Sequence, residues 1–316
     1  MKATHITRDV LNQLCISSID RVNSFCEERY RIRGERIGSG MGTLLEVLWA
    51  FEANNFLRNN QYQNTLAWLG DQYNDFALLG DDGFWDSTTR TGELLRIEMK
   101  TMDLDADESK AHFDGLDGKD ISPKDMILVV YWRWISVDND SRAERFPRII
   151  DHFFGRASEL AFLRDELHIA RGGTFVDRNS CPDQCPPSEC EHHGEPLNAS
   201  GNREKISGPE SRRVSRNVSY AANFGGMTRM LGVKNQQMKT VLHRLRREND
   251  TVHRYLSFVH NNQPKKELSM YSRKTWLNVA NQLGISNTKS MKKNELYAEI
   301  KNRHNHTFRD LLRNVR

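Results

Sequence analysis

The chain has 316 residues, 37% of them hydrophobic and 28% charged, with a formal net charge of +4. No apolar run approaches the ~20 residues that span a bilayer, and the first ten residues carry no apolar signal segment. These features argue against a membrane or secreted protein, and for a cytoplasmic one of one large or two to three small domains, with reduced thiols. The net charge hides an asymmetry: residues 1–180 hold 22 Lys+Arg against 30 Asp+Glu, a net of −8, and residues 181–316 hold 24 against 12, a net of +12. An acidic half followed by a basic half suits a protein that binds cations in one part and phosphates in the other.

In chain order, residues 7–28 predict an amphipathic helix, with Val10, Leu11, Leu14, Cys15, Ile19, Val22 and Phe25 at three- and four-residue spacing. Cys15 and Cys26 read as small buried hydrophobes. Residues 29–36 form a basic stretch, suited equally to a DNA backbone and to solvent. A second helix is expected over 39–57, and Glu46 lies within its apolar stretch, where an unpaired carboxylate is costly. Residues 62–80 read as a helix or a strand leading onward. Residues 83–102 then predict two strands joined by a polar turn, 83–88 and 93–101. Glu98 and Lys100 are two apart on the second strand and therefore share a face. Asp86 lies on the first, where strand pairing brings its carboxylate beside Glu98. Residues 103–125 are polar and acidic, with a short helical piece near 108–113 that offers Ser109, Lys110 and His112. Residues 126–137 predict a central strand, 147–167 a helix and 167–176 a further strand.

An Asp, a gap of about a dozen residues, and Glu-x-Lys ending an apolar strand resemble the PD-(D/E)xK nucleases, which include many type II restriction endonucleases. The resemblance implies an α/β fold over residues 1–178: a restriction-endonuclease-like mixed sheet flanked by helices. It also implies Mg2+ held by Asp86 and Glu98, Lys100 assisting the attacking water, and Glu46 reaching the metal from the first core helix. Trp85 stands where the family pattern has Pro, which leaves Asp81 and Asp82 as rivals for the first carboxylate. Acidic-x-Lys triplets also occur at Glu108, Asp117 and Glu299, but only Glu98-Met-Lys100 ends an apolar strand.

The second half begins with a proline-rich loop at 179–200. It packs Cys181, Cys185 and Cys190 with His192 and His193, a donor density suited to tetrahedral Zn2+ bound by three thiolates and His192. The region 201–262 contains a segment, 223–249, that resembles a helix-turn-helix. The first turns of its second helix carry Lys234, Asn235, Gln236, Gln237 and Lys239 toward base edges, with Arg244, Arg246 and Arg247 nearer the backbone. The last part, 263–316, resembles a SAP-type helix–extended loop–helix, with Lys289, Lys292 and Lys293 placed for phosphates.

The combined expectation is a Mg2+-dependent, sequence-specific endonuclease for double-stranded DNA. As a restriction enzyme it would be a homodimer matching a palindromic site, with a cognate methyltransferase acting on the same sequence. Two rivals remain: a non-catalytic, zinc-containing DNA-binding regulator, and a structure-specific repair or phage nuclease. Separation of Asp86, Glu98 and Lys100 beyond ~8–10 Å would favour the regulator, because metal ligation works at 2.0–2.6 Å.

Overall fold

The structure is a computed structural model; it describes residues 6–32, 40–69, 74–80, 83–104, 121–137, 144–202, 236–262, 272–286 and 288–303. The chain divides into two compact units, one of Met1–Ile135 with Glu144–Asn262, the other of Ser136–Ala143 with Gln263–Arg316.

The larger unit is built on a five-stranded mixed sheet of order β1-β2-β3-β4-β5: β1 (Thr65–Trp68), β2 (Phe76–Leu79), β3 (Glu93–Asp103), β4 (Met126–Ser136) and β5 (Arg145–Arg156). β1–β2 and β2–β3 are antiparallel, and β3–β4 is parallel. Helices cover both faces. On one lie α1 (Arg8–Arg29), started by the Thr7 side chain accepting from the Val10 N–H, and α2 (Met41–Asn59). On the other lie α3 (Ala157–Ala170), α4 (Gln236–Glu248) and α5 (Asp250–Asn261). β4 shows why this sheet is a middle layer. Its Leu128, Val130 and Trp132 pack with α1 and α2, whereas Ile127, Val129 and Tyr131 pack with α3–α5. A strand buried on both faces needs a continuous apolar run, which residues 126–132 supply. The predicted α/β class and mixed sheet are present. Among the described residues no helix is long and apolar enough to cross a membrane.

The 62–80 segment, expected as a helix or a strand, is the hairpin β1–β2. Two expectations are corrected. The strand that pairs with β3 is β2, not 83–88, which contributes only an isolated bridge between Asp86 and Thr91. The 83–92 stretch is held as a turn by polar contacts: Arg90 binds the buried Asp125 at 2.6 Å, and the Trp85 indole N–H donates to Glu93. Residues 145–156 are strand β5 and not the start of a helix. Phe146, Ile149, Phe153 and Phe154 have helical spacing because β5 is buried on both sides, Phe153 toward α3–α5 and Ile149 and Phe154 toward α1 and α2. Among the described residues beyond α3, the strand pairing is the ribbon β6 (Thr174–Phe175) with β7 (Pro196–Leu197).

The smaller unit has its own core. α6 (Arg273–Gln282) and α7 (Lys293–Arg303) are joined through a 3-10 turn at Thr288–Ser290, and they bury Trp276, Val279, Ala280, Ile285, Leu296 and Ile300. The helical piece near 108–113 and the first helix of the helix-turn-helix, near 227–231, lie outside the described residues.

Candidate functional site

β2 is short and β3 is long, so the two part after Asp75. The last backbone link is the Asp75 N–H donating to the Ile97 carbonyl at 3.2 Å. There the Asp75 carboxylate replaces the missing strand, and its Oδ2 accepts the Met99 N–H at 2.7 Å. Phe76 pairs with Ile97, which sets Asp75 across from Glu98. Glu98 and Lys100 form an ion pair along β3, as their shared face predicts. Glu46, in the second turn of α2, faces the same group of charges.

The electrostatics are those of three acids sharing one base. When all are ionised, Glu46, Asp75 and Glu98 outweigh Lys100 by two negative charges. Burial pushes Glu46 up to about 7, Asp75 and Glu98 add to the rise, and Lys100 opposes it. Burial likewise raises Asp75, against the Met99 N–H and Lys100. Glu98 is raised by burial and by Asp75, although Lys100 and the Asn74 N–H pull it down. Burial works to lower Lys100, but Glu98, Asp75 and Glu46 outweigh it, and the ammonium is held above its ordinary value. Such a site binds extra protons or draws a cation.

Asp86 is not part of this group. Its Oδ1 accepts the Thr88 N–H at 2.9 Å and its Oδ2 the Thr89 hydroxyl at 2.7 Å. These bonds hold its pKa below the ordinary value, led by Thr89. Its bridge partner Thr91 precedes β3, and the rise from Glu93 to Glu98 alone is roughly 16 Å at ~3.3 Å per residue. The expected placement of Asp86 beside Glu98 is therefore corrected: Asp75 is the carboxylate across from Glu98. Asp81 and Asp82 lie outside the described residues, as do Ser109, Lys110 and His112. The available signal for Asp75 was an acid immediately before the apolar run Phe76-Ala77-Leu78-Leu79.

A second cluster lies between β6 and β7. The sulfurs of Cys181, Cys185 and Cys190 are all within 4.8 Å of one another. Cys181 Sγ and Cys185 Sγ are 3.7 Å apart, close to the about 3.8 Å that tetrahedral geometry gives for Zn–S bonds of ~2.3 Å, and far beyond a disulfide bond. These three residues can hold a metal ion. Among the described residues they are the one set of three His, Cys, Asp or Glu side chains so close. By the same measure Glu46, Asp75 and Glu98 do not close into a three-ligand cage. His192 is not within 4.8 Å of all three sulfurs, and it faces acids: Glu195 at 3.3 Å, Glu191 at 3.4 Å and Asp183 at 3.8 Å. His193 Nδ1 bonds the Val176 carbonyl at 3.2 Å. Below the ribbon the buried His168 directs Nε2 at the carbonyls of Thr174 and Leu197, 3.0 and 2.9 Å away.

Of the residues expected at DNA, Gln236, Gln237 and Lys239 are exposed in the first turn of α4, and Met238, Val241, Leu242 and Leu245 turn inward. Lys234 and Asn235 lie outside the described residues. Arg244 binds Glu166 of α3 and lies 3.7 Å from Glu248, so it fastens α4 to the core. Lys292 is exposed and Lys293 half-buried at the start of α7, where the Lys292 N–H donates to Glu295 at 2.7 Å. No family model, curated protein or solved structure matches the chain.

Proposed function

We propose that the protein is a divalent-metal-dependent nuclease that hydrolyses phosphodiester bonds in double-stranded DNA. Its site consists of Asp75, Glu98 and Lys100, with Glu46 in support. The supporting observation is the convergence of these four side chains where β2 parts from β3, on a mixed sheet flanked by helices, as the PD-(D/E)xK resemblance implies. The donor set fits a hard cation such as Mg2+: all carboxylate oxygens, with two negative charges in excess. Asp75 and Glu98 are the residues that would hold it. A bound Mg2+ supplies Lewis acidity toward a phosphoryl oxygen and a more acidic water. Lys100, fixed by Glu98, places an ammonium beside that position to orient the water and to balance charge growing on the phosphate. Glu46, its carboxyl pushed up to about 7 by burial, can take up a proton there.

The finer reading follows the restriction enzymes: site-specific cutting by a cytoplasmic homodimer, paired with a methyltransferase of the same specificity. α4 and the SAP-like unit supply the basic surface for the duplex. The three thiolates form a structural zinc site, and His192 completes it by turning away from its acidic neighbours.

Digestion of a large, sequenced, unmethylated DNA with Mg2+, by wild type and Lys100→Ala, tests the proposal. Discrete bands from wild type alone are expected. A smear lost in the variant points to a nonspecific or structure-directed nuclease. The regulator reading is favoured by two observations, the separation of Asp86 from Glu98 and Lys100 and the open arrangement of the carboxylates. Tight duplex binding without cleavage across metals and salts would establish it.

A further inference from the structure

At the corner where α4 meets α5, an open groove of about 810 Å³ is lined by His243, Arg246, Arg247, Glu248, Asn249, Asp250 and His253. From this groove we infer a phosphate-binding subsite for the nucleic-acid backbone, an inference that rests on the nuclease reading for the identity of the ligand.

The charge arrangement carries it. Both carboxylates in the groove lie near cations outside it, of which Arg244 is shared with Glu166. Glu248 lies 3.7 Å from Arg244, and Asp250 accepts from Arg254 Nε at 3.0 Å. That leaves Arg246 and Arg247 as positive charge not balanced within the groove. Arg246 is steadied by a 3.4 Å hydrogen bond from its Nη2 to Ser257 Oγ, and the donors of Arg247 are exposed. His243 and His253 add ring nitrogens from the two helices. The Asn249 side chain accepts the Val252 N–H, which makes a sharp break between the helices and sets both donor rows on one concave corner. Guanidinium groups suit phosphate because their N–H fork matches its oxygens in pairs. The corner is also anchored: Leu245, Val252, Leu256 and Val259 are buried in the core on its inner side. The groove is open, as a subsite for a continuous backbone must be.

The test is binding of a fluorescent 20-base-pair duplex, without divalent cations, over a range of salt, by wild type, Arg246→Ala/Arg247→Ala and Arg246→Lys/Arg247→Lys. Each lost phosphate contact lowers the log affinity–log salt slope by about 0.9. The expected result is a slope flatter by about 0.9–1.8 in the alanine variant with unchanged melting, and substantial recovery in the lysine variant. An unchanged slope and affinity in the alanine variant, or no duplex binding by wild type, would overturn the subsite. Because cleavage plays no part, a chain that binds through these arginines but does not cut leaves the subsite standing and removes the nuclease reading.

Discussion

Asp75 is the residue on which the site turns, because it has two tasks. Its carboxylate accepts the Met99 N–H where strand pairing ends, and its charge bears on Glu46, Glu98 and Lys100. Asp86 has neither task, since its oxygens are committed to Thr88 and Thr89. Asp75→Asn should therefore lower DNA cleavage by about 100-fold or more, given that even outer partners of a metal site cost 10–100-fold. Asp86→Ala should stay near wild type. Equal losses in parallel single-turnover assays would return the first carboxylate to Asp86. Glu46 gives a pH prediction. Its folded pKa of about 7 lies above the ordinary 4.5, so the folded state binds its proton more tightly. The stability from this group is present below pH ~4.5 and is lost as pH rises through about 7. In metal-free protein, Glu46→Gln should flatten the fall in melting temperature over that window. Identical slopes for the two proteins would show that Glu46 is not perturbed in the fold.

The Cys-bearing ribbon is an element that its own hydrogen bonds hold weakly. β6 and β7 pair over two residues each, and Val176 exchanges bonds with Glu195 and Gly194. Little apolar surface lies within the loop itself, so a metal at the three sulfurs is the expected staple. The purified chain should carry one zinc, by elemental analysis, and Cys185→Ser should lose it. Chelation should expose three thiols to a disulfide reagent, while Cys15 and Cys26, buried in α1 with their thiol pKa raised by burial, react only on unfolding. Five thiols reacting together in native protein, with no zinc found, would refute the staple.

On the scale of the molecule, two cores mean two units that can be separated. The smaller unit has a core of its own around Trp276. A chain ending at Asn262 should keep the melting midpoint of the larger unit and its hydrolytic chemistry. It should bind duplex more weakly, with a flatter salt dependence, because Lys292 and Lys293 are gone. A truncated chain that does not fold would show that the larger unit depends on the smaller one. A folded chain with unchanged salt dependence would remove the C-terminal lysines from the duplex interface.

Much of this was legible in the residues alone. Periodicity marked α1 and α2, a long apolar run marked β4, and the alternation of a strand put Glu98 and Lys100 on one face. Cysteine density marked the sulfur cluster, and Glu46 was conspicuous as an acid in an apolar stretch. These features depend on neighbours in sequence. What the residues could not reveal depended on partners far along the chain. β2 outcompeted 83–88 for the edge of β3, because Arg90, Asp125, Glu93 and Asp86 hold 83–92 as a turn. That choice set Asp75, 11 positions earlier, across from Glu98 in place of Asp86. β5 resembled a helix because both its faces are buried, so its apolar residues lost the two-residue period. Local spacing specified which side chains could lie together, and strand pairing across the sheet decided which ones do.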